Sequence, residues 1–294
     1  MNYLVISPVK DEERHVEKTL RSMVGQSVKP IRWIIVEDGS TDGTLGIIER
    51  YAREHPFIHV VRTPPGQARQ PGAAVIRAFN CGFEEAKRLG VAYDLIVKLD
   101  CDLSFDPDYF EQLIARFKSD NGLGIASGIY FETANEEAWH EIPMPSYHAA
   151  GASKVIRAEC WREIDGFVAS RGWDTVDEIR AMSRGWRTTH FPELHMKHWK
   201  KEGAGIGVVR TSAMHGEIYY LTGGGILFFA LKVIHRLKAR PVGLGAAAMA
   251  WGYVRALLSG RERLVTRNEA QHYRALLNQR LTGRLTLRKE GNQI

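Results

Sequence analysis

Two aspartates separated by one residue, Asp100 and Asp102, follow a short apolar run, Leu95-Ile96-Val97. The run has the length and β-branched content of a buried strand. Side chains alternate along a strand, so a strand continued through this stretch puts both carboxylates on one face and Cys101 on the other. Asp106 and Pro107 then break it and predict a helix through Glu111, Leu113, Ile114 and Phe117. Asp106 is the expected N-cap and Pro107 the first helical residue. Paired carboxylates at the carboxyl end of a buried strand suit a divalent cation, and open α/β sheets bind ligands at that end.

The elements that must position this pair read as β-α-β-α-β. Tyr3–Ser7 is an apolar run ending at Pro8; Val16, Leu20, Met23 and Val24 follow at helical spacing. Arg32–Glu37 is a second buried strand, and the loop Asp38-Gly39-Ser40-Thr41-Asp42-Gly43 leads into a helix through Leu45, Ile48 and Tyr51. Phe57–Val61 is a third strand, residues 63–72 a Pro/Gly loop, and residues 73–89 a helix before the central strand. The pattern predicts a mostly parallel sheet with helices on both faces. Further short strands are expected at 122–130, 154–157 and 188–191, with a helix opening at Trp173 and stopping at Gly185.

Composition bounds the rest. The chain has 294 residues, 44% hydrophobic and 25% charged, as a folded protein does. Three unevenly spaced cysteines suggest neither a disulfide framework nor a zinc site. The N-terminus has no basic, apolar leader and reads directly as a strand. The net charge of +6 is unevenly spread. Residues 232–294 hold 13 Lys and Arg against three Asp and Glu, whereas residues 1–231 hold 27 against 31. Two apolar stretches, 218–234 and 241–258, precede and enter this basic region. Both are too rich in glycine or small residues for a confident bilayer span. With their flanking Lys and Arg they suit helices lying at a membrane surface, or else helices packed on the domain. The tail lacks the interleaved aromatics of a nucleic-acid binder, so nucleic acid is not an expected partner.

Three stretches together resemble a family 2 glycosyltransferase: SPVKDEERHVEKTL with IIVEDGSTDGT, KLDCD at the centre, and GWDTVDE ahead of Gly185-Trp186. The resemblance covers roughly residues 1–200. It implies an inverting enzyme with the GT-A nucleotide-diphospho-sugar transferase fold, taken here as residues 1–211, followed by a helical, basic C-terminal region, 212–294. In such a family the first loop and the acidic pair after the second strand hold the donor nucleotide. These positions are Pro8, Val9, Glu12, Glu37 and Asp38. A carboxylate such as Asp38 can accept a hydrogen bond from a base N–H or a ribose hydroxyl. The family's Arg and Asn-x-Gly on the next helix have their nearest match in Arg77, Asn80 and Gly82, and Arg77 is a candidate for the diphosphate.

Asp100 and Asp102 match the family's D-x-D. This implies a Mg²⁺ or Mn²⁺ ion bridging the diphosphate, with Asp100 also facing the donor and His198 or His195 as a further ligand. The family's general base is an acid at a helix start, about eleven residues before a Gly-aromatic pair. Counting back from Gly185 gives Asp174, and Asp177 lies on the same helix start. Either could deprotonate an acceptor hydroxyl, and either could serve as a helix cap. This chain has Trp173-Asp174 where many members have Glu-Asp. The Gln-x-x-Arg-Trp signature of processive synthases is missing, so the expectation is transfer of one sugar. The acceptor would be a glycan or lipid-linked molecule, met through residues 131–150 and 199–215 at the cytoplasmic side of the cell membrane.

Two other readings compete. A nucleotidyltransferase of similar fold would carry a Gly-rich basic signature after the first strand, and SPVKDEE has no glycine there. A non-catalytic nucleotide-sugar-binding module would differ from the enzyme only in turnover.

Overall fold

A computed structural model describes residues 1–63, 73–133, 138–200, 207–238 and 242–290. The predicted Pro/Gly loop lies outside them except for Thr63, as do parts of both predicted acceptor segments. The chain divides into two compact units, Met1–Glu202 and Gly203–Ile294.

In the first unit, β1 (Tyr3–Val9), β2 (Arg32–Glu37), β3 (Ile58–Arg62) and β4 (Leu95–Leu99) pair in parallel in the order β3-β2-β1-β4. Their near-continuous apolar sequences follow from burial on both faces. Alternate residues feed two cores. Tyr3, Val5, Trp33, Ile35 and Val97 face one way, and Leu4, Ile6, Ile34, Val36 and Ile96 the other. α1 (Val16–Val24), α2 (Thr44–Glu54) and α3 (Ala73–Arg88) connect these strands. α3 lies against the sheet at Gly82, where a Cβ would come 2.7 Å from methyls of Ile6 and Val36.

Beyond β4 the sheet changes sense. β8 (Ser153–Arg157) runs antiparallel to β4, and β6 (Leu123–Thr133) antiparallel to β8. β9 (Arg187–His198) is parallel to β6, and β5 (Leu103–Phe105) antiparallel to β9. β7 (Trp139–Glu141) pairs with the end of β6. α4 (Tyr109–Ser119), α5 (Ala158–Glu163) and α6 (Trp173–Ser183) complete the unit.

The structure departs from the sequence expectations at three places. β4 ends at Leu99, so Asp100 and Asp102 sit in a tight turn into β5 rather than on one strand. α4 starts later than predicted, with Asp108 as N-cap. The Asp106 carbonyl is instead used by the Tyr109 N–H (3.1 Å) and the Gln26 side-chain amide (2.8 Å). The last strand runs to His198, well past Phe191, because its pairing with β6 shifts register between Gly128 and Ile129. Gly128 pairs with Phe191, but Ile129 pairs with His195, and the intervening residues bulge out. A Cβ on Gly128 would meet the Leu194 carbonyl oxygen at 2.2 Å, so the bulge requires glycine there.

The second unit is helical: α7 (Val208–Leu221), α8 (Ile226–Arg236), α9 (Leu244–Leu258) and α10 (Arg267–Glu290). The apolar stretch from 218 is split by Thr222-Gly223-Gly224-Gly225 into the end of α7 and the start of α8. α7 and α9 meet backbone to backbone. A Cβ on Gly216 would lie 1.9 Å from the Met249 carbonyl oxygen, and one on Gly252 1.9 Å from that of Ala213. Small residues at a helix crossing free the large apolar ones to face outward. Ile226, Leu227, Leu231 and Ile234 of α8 and Leu244, Trp251, Val254 and Leu258 of α9 are exposed. Among the described residues no helix is long and apolar enough to cross a membrane.

Candidate active site

The site assembles at the carboxyl ends of β1, β2 and β4. After β1 the chain enters Lys10-Asp11-Glu12-Glu13, and Asp11 takes a left-handed φ of 52°, which Asp tolerates better than most residues. Its Oδ1 accepts from the Thr41 N–H (2.8 Å), and Glu13 accepts from the Gly43 N–H (3.1 Å). The loop after β1 is thereby fastened to the loop after β2. Pro8 and Val9 pair in register with Val36 and Glu37, and the Asp38 N–H donates to the Val9 carbonyl (2.9 Å). Glu37 is buried and receives the Ser40 N–H. Asp38 accepts from the Thr63 hydroxyl at 2.7 Å. Arg77 is half-buried on α3, and Gly82, one turn further, is taken up by helix–sheet packing.

Glu12 is the member of the first loop that meets the central turn. Its Oε1 accepts from Lys200 Nζ at 2.5 Å. Burial raises its carboxyl; Lys200 opposes this, and the charges of Asp102 and Asp100 add to it. Asp100 is likewise raised by burial, against the pull of Lys98, whose Nζ donates to Asp100 Oδ1 at 2.5 Å and to the Gly151 carbonyl at 2.9 Å.

Asp102 is buried. Its Oδ2 lies 3.3 Å from His198 Nε2, and His198 Nδ1 lies 3.1 Å from Glu132 Oε1. Burial works against a charged imidazole. The hydrogen bond and charge of Asp102, with Asp100 and Glu132, outweigh it and push His198 up to about 9. The other oxygen, Asp102 Oδ1, is buried without a hydrogen-bond partner among the described residues. An orphaned carboxylate oxygen costs free energy unless something absent from the apo chain satisfies it, and a divalent cation fits that oxygen. Among the described residues no group of three or more His, Cys, Asp and Glu forms a ready metal cage. The two candidate histidines have different surroundings: His198 faces Asp102, while His195 is exposed and meets Phe131 edge-on at 5.0 Å.

The two acids of α6 have different surroundings. Gly172 precedes the helix with φ 81°, a conformation that suits glycine. Asp174 is half-exposed in the first turn. A side chain built on Gly151 would stand 3.5 Å from its Cβ, so Asp174 flanks the residue whose carbonyl holds Lys98 and hence Asp100. Asp177 is 1% exposed, and both its oxygens accept from Lys154 Nζ, at 3.0 and 3.1 Å. The expectation that Asp177 stands beside Asp174 as an acceptor-facing acid does not match this geometry, because its carboxylate is consumed inside the unit. Burial pushes Asp177 up to about 7, with Lys154 opposing and Glu178 adding. Glu178, fully buried, is shared by Lys154 (3.1 Å), His148 (2.9 Å) and the Ala149 N–H (2.8 Å).

Sequence reasoning passed over Lys98, Lys154, Glu132, His148, Glu178 and Lys200. For the two strand lysines a signal existed: each sits among apolar residues in a predicted strand, where a buried ammonium demands partners.

A parallel half-sheet that turns antiparallel beyond an acidic central turn defines the GT-A class of glycosyltransferase fold. The model of glycosyl transferase family 2 matches residues 4–169, and the chain belongs to that family. Among its relatives, the succinoglycan biosynthesis protein ExoA of Rhizobium meliloti is 31% identical over 283 residues, covering 83% of this chain and 82% of the relative. The cholesterol galactosyltransferase of Borreliella burgdorferi is 28% identical over 138 residues, 46% of this chain and 35% of that protein. The chain therefore spans about a third of the second relative. Solved structures share the fold. The Pyrobaculum calidifontis mannosyltransferase PcManGT, crystallised with GDP-Man and Mn²⁺, aligns with TM-score 0.57 and 18% identity over 97% of this chain and 80% of that one. S. aureus TarS 1–349 with UDP-GlcNAc aligns with TM-score 0.57 and 15% identity over 93% and 78%.

Proposed function

We propose that this protein moves a single sugar, with inversion, from a nucleotide-diphosphate sugar to a hydroxyl of a glycan or lipid-linked acceptor in cell-surface polysaccharide or glycoconjugate synthesis. The observation that carries this reading is Asp102 Oδ1, buried and without a hydrogen-bond partner among the described residues, in the central turn of a family 2 glycosyltransferase. Pro8, Val9, Glu12, Glu37 and Asp38 would border the nucleoside, and Arg77 is the candidate for the diphosphate. Asp100 and Asp102 would hold the cation. A bound Mg²⁺ or Mn²⁺ would neutralise charge on the departing diphosphate. His198 would lose its proton to join the ligands, since a metal ligand must be deprotonated. Asp174 is the base. Its carboxylate takes the acceptor's proton as the hydroxyl oxygen bonds to the anomeric carbon from the face opposite the leaving group.

The second unit would seat the enzyme at the cytoplasmic face of the cell membrane. Support comes from the outward apolar residues of α8 and α9 and from charge. Residues 218–261 contain no Asp or Glu and include Lys232, Arg236, Lys238, Arg255 and Arg261.

The test is a panel of UDP-, GDP- and dTDP-sugars with Mn²⁺. Binding is scored by thermal shift, and the best donor is then assayed for turnover with wild type, Asp102→Ala and Asp174→Asn. Asp102→Ala should lose the metal-dependent shift. Asp174→Asn should keep it and lose about 10²-fold or more in kcat. Turnover that survives full chelation with EDTA would refute the metal role. Donor binding with no turnover towards any glycan or lipid-linked acceptor would favour the non-catalytic module.

A further inference from the structure

β4 and β8 place two lysines directly opposite one another: Lys98 pairs in register with Lys154. Like charges at such positions repel, and these two are 3% and 0% exposed. Each ammonium is therefore committed to partners, and the partners belong to the two halves of the site. Lys98 Nζ holds Asp100 Oδ1 and the Gly151 carbonyl. Lys154 Nζ holds the backbone carbonyl of Asp174 at 2.7 Å, together with Asp177 and Glu178. One ring serves both: the Lys98 and Lys154 nitrogens lie 5.1 and 5.4 Å from the centroid of Trp173, within cation–π reach.

Trp173 is the first residue of α6 and immediately precedes Asp174. It is buried, stands where a Cβ built on Gly151 would come 3.5 Å from its ring, and meets Phe167 edge-on at 4.7 Å. No side chain caps α6, because its N-cap is Gly172. The first turn is held instead by the indole and by Lys154 on the Asp174 carbonyl.

We propose that Lys98, Trp173 and Lys154 form a clamp that fixes Asp174 relative to Asp100, with Trp173 as its positioning residue. This rests on the reading of Asp174 as base. The chemistry explains why an aromatic stands where the family resemblance leads one to expect an acid. A neutral π face screens two opposed lysines and leaves Asp100 and Asp174 as the acids at the reacting centre. A catalytic group displaced by about 1 Å can lose about 10²-fold in rate.

The experiment compares Trp173→Phe, Trp173→Leu and Phe167→Leu in the full chain, with Asp174→Asn alongside. The readouts are kcat, donor KM and Tm, using the donor that the panel identifies. Trp173→Leu should lose about 10²-fold in kcat with donor KM within about threefold of wild type, and Trp173→Phe, which keeps a ring, about three- to tenfold. Phe167→Leu removes packing from the same ring. It should lower Tm while kcat stays within about twofold. If Trp173→Leu does not fold, Trp173→Phe decides: unchanged kcat overturns the clamp, and a fall of threefold or more at unchanged donor KM supports it. Phe167→Leu losing kcat as severely as Trp173→Leu overturns it too, since packing alone would then account for the loss. An inactive Asp174→Asn beside a fully active Trp173→Leu refutes the clamp alone, and an active Asp174→Asn refutes the base.

Discussion

Lys154→Met tests the buried charge cluster beneath α6. The lysine is fully buried and donates to Asp177, Glu178 and the Asp174 carbonyl at 2.7–3.1 Å. Methionine fills much of the same volume but leaves Asp177 and Glu178 facing each other, with His148 as the remaining cation on Glu178 among the described residues. Removing one partner of a buried ion pair costs about 3–5 kcal/mol, and each kcal/mol moves the Tm of a unit of this size by about 2–4 °C, so a fall of roughly 6–20 °C is expected. The pH dependence identifies the cause. Burial disfavours the ammonium, yet Asp177, Glu178 and Asp174 outweigh it and raise Lys154 above its ordinary 10.5. A group raised on folding contributes fully below its unfolded pKa. The lysine's own charge is therefore constant from pH 5 to 9 and is lost only as pH rises through the folded value, so any pH dependence in that range comes from the carboxyl groups. In Lys154→Met the carboxyl groups lose their counter-charge, and Asp177, already pushed up to about 7, rises further. The native state then binds more protons than the unfolded chain over the acidic and neutral range, and stability falls as pH rises. The assay is urea unfolding, followed by tryptophan fluorescence, at pH 5, 6.5 and 8. The variant should be closest to wild type at pH 5 and furthest from it at pH 8. A gap that is the same at all three values would show that lost packing, and not stranded charge, accounts for the change.

Two further outcomes follow from other parts of the chain. Glu85 is lowered to about 2 by its hydrogen bond to Arg88, burial opposing and His59 adding, so its contribution is present above the ordinary 4.5 and lost as pH falls towards 2. Urea unfolding of Glu85→Gln should therefore trail wild type at pH 6, with the gap narrowing as pH falls below 4.5 towards 2; a gap of the same size at pH 6 and pH 3 would contradict the linkage. The membrane reading predicts co-sedimentation with anionic liposomes that weakens in high salt, because each basic residue near such a surface is worth about 1 kcal/mol, and that is lost in a Leu227→Asp/Trp251→Asp double variant, which puts charge on the outward apolar face. Binding that is absent in wild type, or untouched by the double variant, would remove the support for a membrane seat.

The parallel half of the sheet was legible because burial on both faces writes itself as continuous apolar runs. Leu4 to Ile6, Trp33 to Val36 and Leu95 to Val97 need no tertiary information to be read as strands. The acidic pair was legible because it ends such a run, and the start of α6 because Trp173 follows a glycine. The backbone between and beyond these elements was not. That Asp100 and Asp102 occupy a turn depends on where β4 stops pairing with β8, which is a contact over fifty residues in sequence. That His198 rather than His195 faces Asp102 depends on a bulge at Gly128 that shifts β9 against β6, and a count along either strand alone does not show the shift. The separation of Asp174 from Asp177 was invisible for a similar reason. Both are acids within one turn of a helix, and Lys154 on β8 sequesters the second one. The sequence by itself determined the strands, the family motifs and the charge asymmetry, because these are local patterns of residue type. Only the tertiary structure decided which carboxylates are buried against a lysine and which are not, because a buried charge is held by the partner that long-range pairing brings to it.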